Sequence, residues 1–367
     1  MNFVWPKEYL VNANEEFQAP LIDLDGFLKG NKEATKNAAK LISKACSTHG
    51  FFQVINHGVD LSLISEAYDQ MDGFFKLPID KKLSVRKMKG SMWGYSGAHA
   101  DRFSSKLPWK ETLSFPFHDN DTFEPVVTNY FDSTLGDDFQ QAGEAFQKYC
   151  EAMKKLGMKV MEILAISLGV DKSDYYKYLF EDGCSIMRCN YYPSCQEPSV
   201  ALGTGPHCDP TTLTILHQDQ VGGLDVFADH KWQTVRPRSD AFVVNIGDTF
   251  TDRVAASIQA KVRCVWKLGI INGFEYHFDR LFDDLFYRAV VNRYKERRSL
   301  AFFLCPKDDK VLRPPQDIMS RDGTKQYPDF TWSQLLQFTQ NYYRADEATL
   351  QNFIKWLKSS KTTNHLP

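Results

Sequence analysis

The stretch GTGPHCDPTTLTIL carries His207 and Asp209 on either side of Cys208, just ahead of an apolar run. In an extended segment side chains at i and i+2 leave the same face, so imidazole and carboxylate can converge there on one ion. Joined by a distant histidine, they would make the two-histidine, one-carboxylate set that leaves positions open for a co-substrate and oxygen on iron(II). A His-x-Asp triplet is common by chance, however, and alone it reads equally as an ordinary turn. Downstream, Arg297 and Ser299 stand in RRSLAFF. An arginine there can clamp a carboxylate with two parallel hydrogen bonds, and the serine hydroxyl can add a third. The competing reading of Arg297 is one more solvated charge in the run RYKERR, which is how Arg293, Lys295 and Arg298 read.

Positioning such groups requires a rigid scaffold. From 184 to 306 the segments SIMRCNYYPS, TLTILHQD, GLDVFAD, KWQTVRP, AFVVNIGD, RAVVN and SLAFFLCP are short apolar runs punctuated by turn residues. That texture predicts an antiparallel barrel or jelly roll. Ahead of it, APLIDLDGFLKG, a helical pattern over 32–48 and the buried strand FFQVINHG give an α/β start. An amphipathic helix over 61–76 stops at Pro78, and 86–106 reads as loop. One long helix, kinked near Gly157, is expected over 137–169. TWSQLLQFTQNYYRADEATLQNFIKWLKSS predicts two closing helices broken around Arg344 to Asp346.

Composition narrows the partners. At 367 residues, 43% hydrophobic and 25% charged, the chain can bury a large core. Lys and Arg number 44 against 46 Asp and Glu, a net charge of −2 that excludes a strong field for nucleic acid or an anionic membrane. A small-molecule partner and a monomer are expected. The eight cysteines form no Cys-x-x-Cys pair and read as reduced thiols. The N-terminus lacks a basic stretch followed by an apolar one, and no eighteen-residue apolar run occurs, so a cytoplasmic location is expected.

The segments NYYPSC, GPHCDPTTLTILHQD, VGGLDVF, AFVVNIGDTF and RRSLAFFLCPKDDKVLRPP together resemble the plant iron(II)- and 2-oxoglutarate-dependent dioxygenases. LPWKETLSF at 107–115 and YPDFTWSQLLQFTQNYYRAD at 327–346 resemble the gibberellin 20-oxidase branch more narrowly. The resemblance implies an α+β fold with a double-stranded β-helix (jelly-roll) core flanked by helices. It divides the chain into an N-terminal α/β dioxygenase domain over 1–135, a linking helix over 136–183, the core over 184–310 and C-terminal helices over 311–367. His207 and Asp209 match the family's first two iron ligands, and Arg297 and Ser299 its pair for the distal carboxylate of 2-oxoglutarate. Asn190 and Tyr192 match positions lining the co-substrate pocket; otherwise they are a strand residue and a core aromatic. Iron(II), 2-oxoglutarate, O2 and ascorbate as reductant are the implied cofactors. The implied reaction is oxidation of carbon 20 of a diterpenoid acid with release of succinate and CO2. Aromatic-rich segments 51–56, 91–95 and 103–117 either line an apolar pocket for that acid or belong to the core.

One position departs from the pattern. The family places its third ligand, a histidine, ten residues before the arginine of the Arg-x-Ser pair, and here Tyr287 stands ten before Arg297. A neutral phenol, pKa ~10, is a poorer ligand for iron(II) than imidazole. The segment 251–287 is also longer than the family's and matches none of it, a break of the kind a retained intron or a misplaced exon boundary leaves. Within it only His277 offers a substitute ligand, against a reading as an exposed loop histidine; histidines 49, 57, 99, 118, 217, 230 and 365 read as structural or surface residues. Three functions therefore stand open: a gibberellin 20-oxidase, a catalytically impaired homologue, and a related flavonoid or gibberellin dioxygenase.

Overall fold

The structure is a computed structural model that describes residues 2–98, 105–118, 124–170, 178–247, 286–313, 328–342 and 349–363. Two short strands, β1 (Glu15–Phe17) and β2 (Leu21–Asp23), precede α1 (Asp25–Leu28), α2 (Lys32–Thr48) and β3 (Phe51–Ile55). Next come α3 (Leu61–Phe75), α4 (Ile79–Ser84), β4 (Gly94–Gly97), β5 (Glu111–Phe117), α5 (Val126–Leu135) and α6 (Gln140–Ser167). The strand-rich region follows as β6 (Ser185–Tyr192), β7 (Leu202–His207), β8 (Leu213–Gln218), β9 (Leu224–Ala228), β10 (Lys231–Val235), β11 (Phe242–Ile246), β12 (Tyr287–Val290) and β13 (Arg297–Leu304). The pair β14 (Val311–Leu312) and β15 (Phe330–Thr331) leads to α7 (Trp332–Tyr342) and α8 (Thr349–Thr363).

Local chemistry explains the helix boundaries. The Asn31 side chain accepts from the backbone N–H groups of Glu33 and Ala34 at the start of α2, and Asp60 does the same for Ser62 in α3. Pro78 separates α3 from α4, because proline removes a donor and holds the preceding residue extended.

The strands form a jelly-roll core. An eight-stranded sheet runs β2-β3-β11-β8-β13-β6-β5-β4, a five-stranded sheet runs β1-β10-β9-β12-β7, and the pairings within the 184–306 region are antiparallel throughout. Strands from both ends of the chain share the large sheet, since β3 pairs with β11 and β5 with β6. Phe51 and Val243 of the large sheet meet Phe17, Leu224, Val226, Val235 and Tyr287 of the small one in a core between the two sheets. A larger core covers the opposite face of the large sheet, where Leu300, Phe302 and Leu304 pack with Phe146, Met153, Val160 and Leu164 of α6. Because β13 is buried on both faces, its second half, Leu300–Leu304, reads as a continuous apolar run rather than an alternation. α7 and α8 close over this core through Phe338 and Phe353, whose rings lie 5.5 Å apart.

α6 runs unbroken through Gly157, whose missing side chain would only touch Ile215 and Leu304 at 3.6–3.7 Å, so the glycine marks a helix–sheet contact. Two expectations need correction. The segment 86–106, expected as loop, contains β4, which pairs with β5 despite its glycines because Gly94, at φ +114°, lacks the side chain that would sit 2.8 Å from the Val85 carbonyl oxygen. Arg298 is not a solvated charge: it pairs with Asp72 and, at 3.5 Å, with Asp219, and lies over the Tyr68 ring. Arg293 and Lys295 are exposed, as expected. Seven of the eight cysteines lie among the described residues, and all seven are free thiols. Among the described residues no helix is long and apolar enough to cross a membrane.

Candidate active site

His207 ends β7 and Asp209 follows in the turn before β8. The Nδ1 of His207 lies 2.8 Å from the Gly205 carbonyl, which can only accept, so Nδ1 carries the proton and Nε2 keeps its lone pair. That Nε2 is 3.8 Å from Oδ1 of Asp209, while Oδ2 of Asp209 accepts from the Thr214 hydroxyl. One nitrogen and one oxygen are thus left facing the same point, the arrangement of two metal donors with their outward partners already satisfied. Burial holds His207 below its ordinary pKa against the opposing pull of Asp209, which keeps the imidazole in its neutral, ligating form. Two glycines make the close packing possible. A side chain at Gly205 would coincide with the Trp5 ring at 2.1 Å, and one at Gly247 would meet the Thr211 carbonyl at 2.0 Å.

The facing sheet supplies a second cluster through strand register. Arg297 pairs with Tyr192 across β13 and β6, and Ser299 lies between Asn190 of β6 and Gln218 of β8. Arg297 is 2% exposed, yet only its Nη2 has a protein acceptor, Oε1 of Gln218 at 3.2 Å; Nε and Nη1 have none. Leaving two donors of a buried guanidinium unmatched is costly, and a bound carboxylate relieves that cost with two charge-assisted bonds. The Tyr192 ring lies 4.8 Å from the guanidinium, and Asn190 donates to Ser299 Oγ at 3.3 Å. Gly223, at φ +96°, brings the β9 turn against Arg297, where a side chain would sit 3.3 Å from Cδ.

Lys110 links the two clusters and was not singled out from the sequence. Its Nζ donates to Thr204 of β7 at 3.0 Å. Burial lowers its pKa while the charges of Tyr192 and Asp209 oppose that and Arg188 and Arg297 add to it, which places the lysine within electrostatic reach of groups in both clusters. Burial raises the Tyr192 pKa, but Lys110, Arg297 and hydrogen bonds with Thr204 and Ser299 outweigh it, and the net shift is downward. The cluster is therefore electropositive. LPWKETLSF held the clue, yet nothing in its spacing shows that the segment before β5 crosses β7.

Tyr287 opens β12, directly opposite His207 of β7 and Val226 of β9. Its ring meets the His207 ring edge-on with centroids 4.8 Å apart, and it is 5% exposed within the core between the sheets. The next residue anchors the strand: Arg288 donates through Nε and Nη2 to Asp225 at 3.1 and 3.0 Å, and through Nη1 to the Tyr9 carbonyl at 2.7 Å. His277 lies outside the described residues. Among the described residues no cluster of three His, Cys, Asp or Glu side chains could hold a metal. Of the remaining described histidines, His57 accepts the Val59 N–H, and Nδ1 of His217 lies 3.0 Å from the Tyr68 hydroxyl.

Comparison with known proteins places these features in context. Residues 183–306 match the 2OG-Fe(II) oxygenase superfamily, and residues 19–131 match the N-terminal region described as non-haem dioxygenase in morphine synthesis. The chain is 47% identical over 356 residues to gibberellin 20 oxidase 2 of Arabidopsis thaliana, covering 97% of this chain and 86% of that one. It is 49% identical to gibberellin 20 oxidase 2 of Oryza sativa subsp. japonica, covering 97% and 84%. Among solved structures, JOX2 in complex with 2OG, Fe and JA aligns with a TM-score of 0.76 at 29% identity over 96% of this chain and 93% of that one. The rice dioxygenase for auxin oxidation shares the fold, with a TM-score of 0.68 at 23% identity over 91% and 99%.

Proposed function

We propose that this chain, which belongs to the 2OG-Fe(II) oxygenase superfamily, oxidises carbon 20 of C20 gibberellins and releases succinate and CO2 from 2-oxoglutarate. The observation that carries the co-substrate is Arg297, buried with Nε and Nη1 unmatched beside Ser299. The gibberellin assignment draws on relatives that cover nearly the whole chain.

In this reading Arg297 and Ser299 hold the distal carboxylate of 2-oxoglutarate, with Asn190 orienting Ser299 and Tyr192 packed against the guanidinium. His207 and Asp209 hold the metal, the first through Nε2 because Gly205 fixes its other nitrogen. Iron(II) supplies the redox chemistry by which O2 oxidises both the co-substrate and the gibberellin, with ascorbate as reductant. Lys110 gives the pocket a cation for an acidic diterpenoid, and the apolar core between the sheets keeps water from the reacting end. The N-terminal part over 1–135, the linking helix over 136–183, the core over 184–310 and the closing helices over 311–367 act as one monomeric, cytoplasmic enzyme, with neither nucleic acid nor membrane as partner.

A second reading has one observation in its favour. Tyr287 stands across from His207 in the register of the missing third ligand, as expected of a homologue impaired in turnover. Incubation of the purified chain with iron(II), 2-oxoglutarate, ascorbate and a C20 gibberellin separates the two. Succinate formed in step with a gibberellin oxidised at carbon 20 supports the first. Neither product, with turnover gained in Tyr287→His, supports the second. Turnover of a flavonoid but no gibberellin assigns the chain to a neighbouring branch.

A further inference from the structure

We propose that, among the described residues, only His207 Nε2 and an Asp209 oxygen hold this chain's divalent metal, and that metal binding is in consequence conditional on 2-oxoglutarate. The inference rests on the reading of the co-substrate cradle given above. It departs from the three-ligand pattern implied by the family resemblance.

The position that would supply a third ligand is filled by a core side chain. Tyr287 faces His207 across β12 and β7, and its ring shares the inter-sheet core with Phe17, Val226 and Val243. The ring is buried edge-on against the imidazole at 4.8 Å and so packs beside the two donors. Arg288 holds β12 in this register through Asp225 and the Tyr9 carbonyl, which keeps position 287 pointed into that core. The co-substrate cradle, by contrast, stands on the facing sheet and needs none of these groups. Gln218 fixes Nη2 of Arg297, Tyr192 packs against the guanidinium, and Nε and Nη1 are left for a carboxylate.

Two protein donors chelate a divalent ion weakly, whereas a 2-oxoglutarate already anchored by Arg297 presents its own donors to the ion at a high effective concentration. Metal and co-substrate must then raise each other's affinity by the same factor, as linkage requires. Restoring an imidazole at position 287 would let the metal bind alone, and the factor would shrink.

The test titrates the full-length chain with Mn(II), a redox-inert probe, following the free ion by electron paramagnetic resonance with and without saturating 2-oxoglutarate. 2-Oxoglutarate is then titrated by calorimetry with and without Mn(II). The expected result is an Mn(II) affinity raised about 10²-fold or more by 2-oxoglutarate, and the reverse by the same factor. Tyr287→Phe should change neither constant, Arg297→Gln should abolish the coupling without weakening Mn(II) alone, and Tyr287→His should tighten Mn(II) alone and reduce the coupling. Tight Mn(II) binding indifferent to 2-oxoglutarate overturns the inference and leaves the cradle reading intact. Loss of Mn(II) binding in Tyr287→Phe also overturns it, because the phenol would then be a ligand. A chain that binds no 2-oxoglutarate with or without metal, and none as Tyr287→His, overturns the cradle reading itself.

Discussion

Arg297 concentrates the conflict between stability and binding in one side chain. A buried guanidinium with two unmatched donors destabilises the ligand-free protein, and an apolar replacement of similar volume is often more stable than an incompletely paired buried charge. Arg297→Met should therefore raise the unfolding free energy of the ligand-free chain by about 1–2 kcal/mol in urea titrations. Its affinity for 2-oxoglutarate should drop about 10²-fold by calorimetry, the loss of two charge-assisted hydrogen bonds. A variant that is both less stable and equally tight would show that the cradle binds no carboxylate. Spacing alone put His207 and Asp209 on one face, and the structure brings them within 3.8 Å, because alternation in an extended segment is a local property. Arg297 could not be told from its charged neighbours in the sequence, since its burial comes from the pairing of β13 with β6 and β8. Lys110 was illegible for the same reason, its partners Thr204 and Asp209 being far along the chain.

Elements were more legible than their contacts. The helical periods, caps and breakers located α2, α3, α7 and α8, and the short apolar runs located the strands, but strand order depends on which edges meet and is absent from any local pattern. Glycine shows the difference well, because a sequence does not say whether a helical glycine is a kink, a close approach or a spare position. Within α6, a methyl at Gly157 would meet Ile215 and Leu304 at ordinary distance, whereas one at Gly143 would press on Thr128 Cα at 3.0 Å and Phe131 Cβ at 3.1 Å. Gly157→Ala should thus stabilise the chain by about 0.5–1 kcal/mol through the lower entropy of the unfolded state. Gly143→Ala should lose stability, because α5 must shift to admit the methyl; equal effects of the two on the urea midpoint would refute this account of α6. The β9–β12 pair carries a larger stake. Asp225 is buried between Arg288, at 3.0 Å, and the Thr234 hydroxyl, at 2.8 Å. Arg288→Ala would leave that carboxylate without its counter-charge and should cost about 3–5 kcal/mol. Arg288→Ala paired with Asp225→Asn should recover much of the loss in a double-mutant cycle.

At the scale of the whole molecule, the large sheet is buried on both faces, and three histidines sit where its edges and helices close. Burial lowers the pKa of His49 and His217 and takes His57 down to about 4, with the neighbouring His217 pushing it further in the same direction and Asp240 opposing. The neutral ring of His57 accepts the Val59 N–H at 3.1 Å and lies edge-on to Phe242 of β11 at 4.6 Å, so a proton there would set donor against donor. The unfolded chain takes up these protons near pH 6.5 and the folded chain only lower down, so the unfolded state binds more protons in between. Stability is then fully present above pH 6.5 and declines as the pH falls toward about 4. Asp60, Asp182 and Asp240 are also lowered, but from 3.8, so their loss of stability falls below this window. Discounted for the solvent that still reaches the ring, His57 should account for about 1–2 kcal/mol of the decline. Urea midpoints of the ligand-free chain measured from pH 7 to pH 4.5 should fall steadily. In His57→Gln, whose side-chain carbonyl can still accept the Val59 N–H without titrating, the fall should be shallower; an unchanged slope would assign the acid sensitivity to other groups.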